Sequence, residues 1–259
     1  MTPPSREKTI ERVVVAIDAL SALPGALSAG VQLAEALEAE LAAVLLENAD
    51  LVRAAALPFL RETGAVSGTA HPMGEEAMQR ALRVHAEQVR AAVAEAAAAS
   101  ELAWHFEVVR DRRLPALCAS LSTVELLVVG HVPPLAAPAA WRGAEQAGPV
   151  AVVLRDAPGA GRALRAARAL ADVFNAPLLA LICTETRERA HELRALARAA
   201  SHSEPRYVVL PDCTGAAILT AVRTHRARLL VWCAPDSRRN THELEALLGG
   251  LRCPLVVAD

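Results

Sequence analysis

The chain alternates short, nearly continuous apolar runs with longer stretches in which apolar residues return every three or four positions. The short runs predict strands buried on both faces, and the longer stretches predict helices with one apolar stripe. Val13 to Ile17 is such a run, and it closes on Asp18. A small-residue turn, Ala22-Leu23-Pro24-Gly25, leads into a helix striped by Leu27, Val31, Ala34 and Leu37, and a second strand runs from Leu41 to Leu46. The same order recurs later. Ala151-Val152-Val153-Leu154 ends in Arg155-Asp156, the turn is Ala157-Pro158-Gly159-Ala160-Gly161, the stripe is Leu164, Ala167, Leu170 and Phe174, and Leu178 to Ile182 follows as a strand. Third strands are predicted at Phe106 to Val109 and Tyr207 to Leu210, and fourth strands at Leu126 to Val129 and Leu229 to Trp232.

This internal duplication predicts an α/β protein of two doubly wound, parallel-sheet (Rossmann-like) domains in tandem, one over residues 1–147 and one over 148–259. The copies are unequal. Between its second and third strands the first carries an added segment, about residues 49–100. There an irregular stretch from Asn48 to Pro72 precedes a long helix from Glu75 to Ala99, striped by Met78, Leu82, Val89 and Val93. The second copy has one short helix in that place, within Cys183 to Arg198, and keeps a closing unit that the first lacks. Asn240 and Glu243 have capping-box spacing, Leu244, Leu247 and Leu248 form a stripe, Gly249-Gly250 ends the helix, and Cys253-Pro254-Leu255-Val256-Val257 is the last strand. The run at 149–154 could close the first copy or open the second. The helix and strand after it need a partner, which favours the second role and leaves the first copy four-stranded or borrowing an edge from elsewhere.

Composition narrows the function classes. A net charge of -2 and a pI near 6.5 give no basic field for nucleic acid, and 3% aromatic residues leave little to stack on bases. Lys8 is the only lysine, so no phosphate-loop or Schiff-base lysine exists elsewhere in the chain. Cys118, Cys183, Cys213, Cys233 and Cys253 are odd in number, with no C-x-x-C pair, and read as buried thiols of a reducing compartment. No run of eighteen apolar residues is present, and the N-terminal run is too short for a signal core, so the expected setting is the cytoplasm, away from membranes.

The strand ending in aspartate, the amphipathic helix after it, and the final helix leading into a C-P-hydrophobic strand together resemble the universal stress protein family in its tandem form, over nearly the whole chain. ATP-binding members share G-x-x-G, nine residues, then G-[ST] after the fourth strand; the glycines let backbone N–H groups approach phosphates, and the hydroxyl adds a bond. Here Gly130 and Gly143 match the first and third glycines, but Pro133 and Ala144 stand at the second glycine and the hydroxyl. Proline brings no N–H donor and alanine no hydroxyl. In the second copy Cys233 to Asn240 contains no glycine, and Asp236 would repel phosphate. Asp18 and Asp156 match the strand-end aspartate that lies near the nucleotide in the binding members.

The resemblance therefore implies a non-enzymatic, stress-associated regulatory or interaction protein, with ATP binding lost and no cofactor. The alternative it leaves is a nucleotide or anion sensor, taking ATP with magnesium near Asp18, Gly130, Gly143 and Asp156. The expected partners are an unidentified protein and the chain itself, as a pseudo-dimer of its two domains and a homo-oligomer. Other constellations carry less. His191-Glu192 and His242-Glu243 lack the second histidine of a zinc helix, and Arg110, Arg112 and Arg113 read as a solvated loop before an anion grip. His131, beside Gly130, reads as a polar loop residue.

Overall fold

In a computed structural model of the chain, the described residues are 10–18, 23–57, 61–63, 68, 70–72, 74–110, 117, 125–130, 148–155, 160–200, 204–233 and 241–258. The first copy contributes β1 (Arg12–Asp18), α1 (Leu23–Leu37), β2 (Glu40–Glu47), α2 (Ala49–Ala55), β3 (Arg61–Thr63), β4 (Ala70–Pro72), α3 (Glu75–Ala99), β5 (Trp104–Arg110) and β6 (Glu125–Val129). The second contributes β7 (Val150–Leu154), α4 (Ala160–Val173), β8 (Leu178–Cys183), α5 (Arg187–Ala200), β9 (Arg206–Leu210), α6 (Gly215–Thr224), β10 (Leu229–Cys233), α7 (Thr241–Gly250) and β11 (Leu255–Ala258).

Nine of these strands form one sheet in the order β5-β2-β1-β6-β11-β10-β7-β8-β9. Every neighbouring pair is parallel except β6 and β11, which run antiparallel with Val129 opposite Leu255 and Leu126 opposite Ala258. The first half thus borrows its missing edge from the last strand of the chain. β7 lies between β8 and β10, in the second half, which is the role favoured for it. Because the seam is antiparallel, the carboxyl ends of the two halves' strands open at opposite ends of the sheet.

Strand side chains alternate between two cores, as the pleat requires. Val13, Val15 and Ile17 join Val150, Val152 and Leu154 beneath α1, α3, α4 and α5. Val14 and Ala16 join Ala151 and Val153 on the other face, where Ile218 of α6 and Leu244 and Leu247 of α7 cover the second half. The alanine-rich faces of α1 and α4 pack on each other across the seam, their small side chains allowing close approach. The two halves meet through this helix pair and through β6 and β11.

Four local expectations change. The stretch read as irregular holds α2, whose N-terminus is capped by Asn48 accepting from the Asp50 N–H at 2.9 Å, and the β3–β4 hairpin. α5 is fourteen residues, longer than expected, and α7 runs through Gly249 and Gly250 where they were expected to stop it. The last strand begins at Leu255, after Pro254 has accepted a bond from the Leu230 N–H at 3.0 Å. Proline cannot donate to a ladder, so its place is just ahead of the strand. α3 spans Glu75–Ala99 as expected, with Val89, Val93 and Ala97 buried.

Candidate functional site

A doubly wound sheet binds ligands in the crevice beyond the carboxyl ends of its strands, at the point where strand order reverses. In the first half that point lies between β1 and β6, because the chain runs outward through β2 and β5 and then returns to the far side of β1. Ala16 pairs with Val129, so Asp18 lies two residues beyond that level and Gly130 one residue beyond it. Register therefore brings Asp18 and Gly130 together at the mouth of this crevice, with Gly130 buried. Gly143, Pro133, Ala144, His131, Arg112 and Arg113 lie outside the described residues. Arg110 is not a free anion grip: its guanidinium Nε donates to Glu47 at 2.9 Å. Glu47 is the buried charged side chain among the described residues.

In the second half the reversal lies between β7 and β10. Leu154, the last residue of β7, is level with Ile182, so Arg155 emerges beside Cys183 at the end of β8. Strand alternation aims Arg155 at the face covered by α6 and α7. There its Nη1 donates to Glu243 Oε2 at 3.0 Å, and its Nη2 donates both to Glu243 Oε1 and to the carbonyl oxygen of Cys213 at 2.7 Å. Both side chains of the ion pair are only 12% exposed. Burial would lower the guanidinium pKa, but the hydrogen bond and charge of Glu243, with Cys183 beside it, outweigh burial and raise it. Glu243 was expected only at a capping position of α7, and Arg155 only as a residue ending a strand. Asp156, the matched aspartate of this half, lies outside the described residues.

Arg155 thus ties the end of β7 to α7, the helix that follows β10, across the crevice, and also to the loop ahead of α6. A forked guanidinium on a carboxylate is the geometry that a bound phosphate or carboxylate ligand would otherwise complete. Here the chain completes it from within. Among the described residues no three His, Cys, Asp or Glu side chains gather into a metal set, and no helix is long and apolar enough to cross a membrane.

Two thiols near this face are perturbed. Burial, then the neighbouring Cys213, pushes Cys183 up to about 12, against an opposing pull from Arg155; burial pushes Cys253 up to about 12, against a backbone hydrogen bond from Leu230. Their ordinary value is 9.0, so an unfolded chain releases these protons first. The stability these thiols contribute is present below about pH 9 and is lost as pH rises toward 12. Urea unfolding from pH 8 to 11 should show the folding constant dropping above pH 9, by up to about tenfold per pH unit for each thiol. Cys253→Ala should flatten that slope by one proton, and an unchanged slope would refute the assignment.

The halves together, each wound from a strand through a helix into a parallel sheet, have the universal stress protein fold. No family model matches the chain, and no curated protein matches it in sequence. Among solved structures, a universal stress protein from Archaeoglobus fulgidus DSM 4304 aligns with a TM-score of 0.54 over 95% of this chain and 96% of its own, at 13% identity. A universal stress protein from Archaeoglobus fulgidus in complex with dAMP aligns over 43% of this chain and 98% of its own, with a TM-score of 0.35 and 16% identity. The cytoplasmic domain of a prokaryotic cation chloride cotransporter covers 95% of this chain and 94% of its own, with a TM-score of 0.49 and 12% identity. The likeness to the first of these is one of fold.

Proposed function

We propose that the chain is a non-enzymatic regulatory or interaction protein of the universal stress type, working in the cytoplasm, that does not bind ATP. The observation that carries this reading is the Arg155–Glu243 pair. It holds the second half's crevice closed with the chain's own charges, and the sequence from 234 to 240 has no glycine with which to approach a phosphate. In the first half, Pro133 and Ala144 remove one backbone donor and one hydroxyl from the phosphate loop that the family resemblance implies. The two halves, joined across β6 and β11, supply in one chain the arrangement that a dimer supplies in two. The exposed edge strands β5 and β9 are the surfaces left for a protein partner or a second copy.

A second reading, a nucleotide or anion sensor, is favoured by one observation: register brings Asp18 and Gly130 together at the first half's crevice. Isothermal titration of the purified chain with ATP and magnesium separates the two. It should follow denaturation and chromatography of a sample to detect carried nucleotide. We expect no binding heat and no carried nucleotide. Binding that disappears in Asp18→Ala would instead establish the sensor reading at the first crevice. Binding that survives both Asp18→Ala and a Gly130 substitution would refute both placements.

A further inference from the structure

We propose that Cys183 and Cys213 are a reversible dithiol–disulfide pair, oxidised by hydroperoxides, built beside the second half's crevice. The two lie 30 positions apart in sequence, yet three features of the fold bring them together. The β8–β9 register sets Cys183 opposite Leu210, and the chain turns back three residues later at Cys213, just ahead of the Thr214 cap of α6. Arg155, level with Cys183 across the β7–β8 ladder, reaches over to bond the Cys213 carbonyl at 2.7 Å. Cys213 packs on the same core face as Cys183, and its side chain neighbours the Cys183 thiol closely enough to perturb it. Both are free thiols here, Cys183 buried and Cys213 partly exposed.

That difference in exposure divides the roles. Cys213 is the more exposed of the two thiols, so it is the one that a peroxide can reach. Cys183 is enclosed, so it meets the oxidant only through Cys213. In the first step the Cys213 thiolate attacks a peroxide oxygen; the O–O bond breaks, leaving a sulfenic acid on Cys213 and releasing an alcohol, or water from hydrogen peroxide, after protonation. In the second, the Cys183 sulfur attacks the sulfenic sulfur, gives up its proton, and the hydroxyl leaves as water. Two thiols are oxidised by two electrons, one peroxide is reduced, and a dithiol reductant reverses the exchange. The bridge would clamp α5 and β9 between its ends, at the edge of the sheet left for a partner.

The test uses the full reduced chain and hydrogen peroxide at a few equivalents, followed by alkylation, non-reducing digestion and mass spectrometry. The expected product is one peptide pair linking Cys183 to Cys213, with an intact mass lower by two hydrogens, fully restored by dithiothreitol. In Cys183→Ser the expected product is a sulfenic acid on Cys213, captured by dimedone. A linkage joining Cys213 to Cys118, Cys233 or Cys253, overoxidation of Cys213 with Cys183 untouched, or no loss of thiols would each overturn the proposal. The wild-type linkage decides the matter even where a variant fails to fold.

Discussion

Gly148→Ala should lower the unfolding midpoint of the whole chain by roughly 10 °C, the largest effect expected of any single methyl group here. Gly148 lies just ahead of β7, where the chain passes the turn that leads into β10. A Cβ built on it would stand 1.9 Å from the Arg226 carbonyl oxygen and 3.3 Å from the Arg228 nitrogen. Those atoms are backbone and cannot rotate away as a side chain end can. Moving them would pull on the bond that the Arg228 N–H donates to Pro149 at 3.0 Å, and so on the start of the β7–β10 ladder at Val150 and Leu229. Overpacking that a site cannot relax costs about 3 kcal/mol. Gly25→Ala is the matched control. It lies in the first turn of α1, and its nearest new contact is the side chain of Pro254 at 4.0 Å, ordinary van der Waals distance. Alanine there should raise stability by about 0.5–1 kcal/mol, the helix preference it gains over glycine. Thermal unfolding followed by circular dichroism checks both. A Gly148→Ala chain that melts with the wild type would mean that the strand entry yields where the geometry says it cannot.

The strands and long helices were legible because their signals are local. An apolar run of five residues ending in a turn predicts a buried strand wherever it pairs, and α3 announces itself through Met78, Leu82, Val89 and Val93 on one face, of which Val89 and Val93 are buried. The segment holding α2 and the β3–β4 hairpin was not legible, because seven helical residues and three-residue strands are too short to show a period. The seam was legible only as a lack. Four strands in the first copy imply a missing edge, but nothing in Leu126 to Val129 says that Leu255 to Ala258 supplies it, or that the pairing is antiparallel. That choice is made by the burial of both strands, Leu126 to Val129 and Leu255 to Ala258, and by α1 and α4 packing against each other across the seam. The placement of Asp18 and Gly130 at neighbouring strand ends was legible, because each directly follows an apolar run. Arg155 was not. Its partner Glu243 is 88 residues away and looked like a helix-capping residue, and a charge following a strand is ordinary until the fold shows what faces it.

Breaking the Arg155–Glu243 pair from one side should cost about 3 kcal/mol, because the survivor keeps its charge in a place nearly closed to water. Glu243→Ala leaves a guanidinium 12% exposed without its carboxylate, the Cys213 carbonyl still accepting from it, and Arg155→Met leaves the carboxylate without its fork. Replacing both, as Arg155→Met with Glu243→Leu, removes both buried charges and fills their space with apolar atoms. That double variant should recover most of the loss, less about 1 kcal/mol for the bond the Cys213 carbonyl no longer receives. A double-mutant cycle measured by urea unfolding reads the difference, and the expected coupling exceeds about 2 kcal/mol. Single losses below about 1 kcal/mol would place the pair with ordinary surface salt bridges and would remove the argument that it closes the crevice. The same variants separate closure from the missing phosphate loop. With both charges gone, the second crevice is free of its internal ligand but still has no glycine between Cys233 and Asn240. Titration of the double variant with ATP and magnesium should therefore remain silent. Heat appearing there and absent from the wild type would mean that the ion pair alone keeps nucleotide out, and that an anion able to compete for Arg155 could open the site.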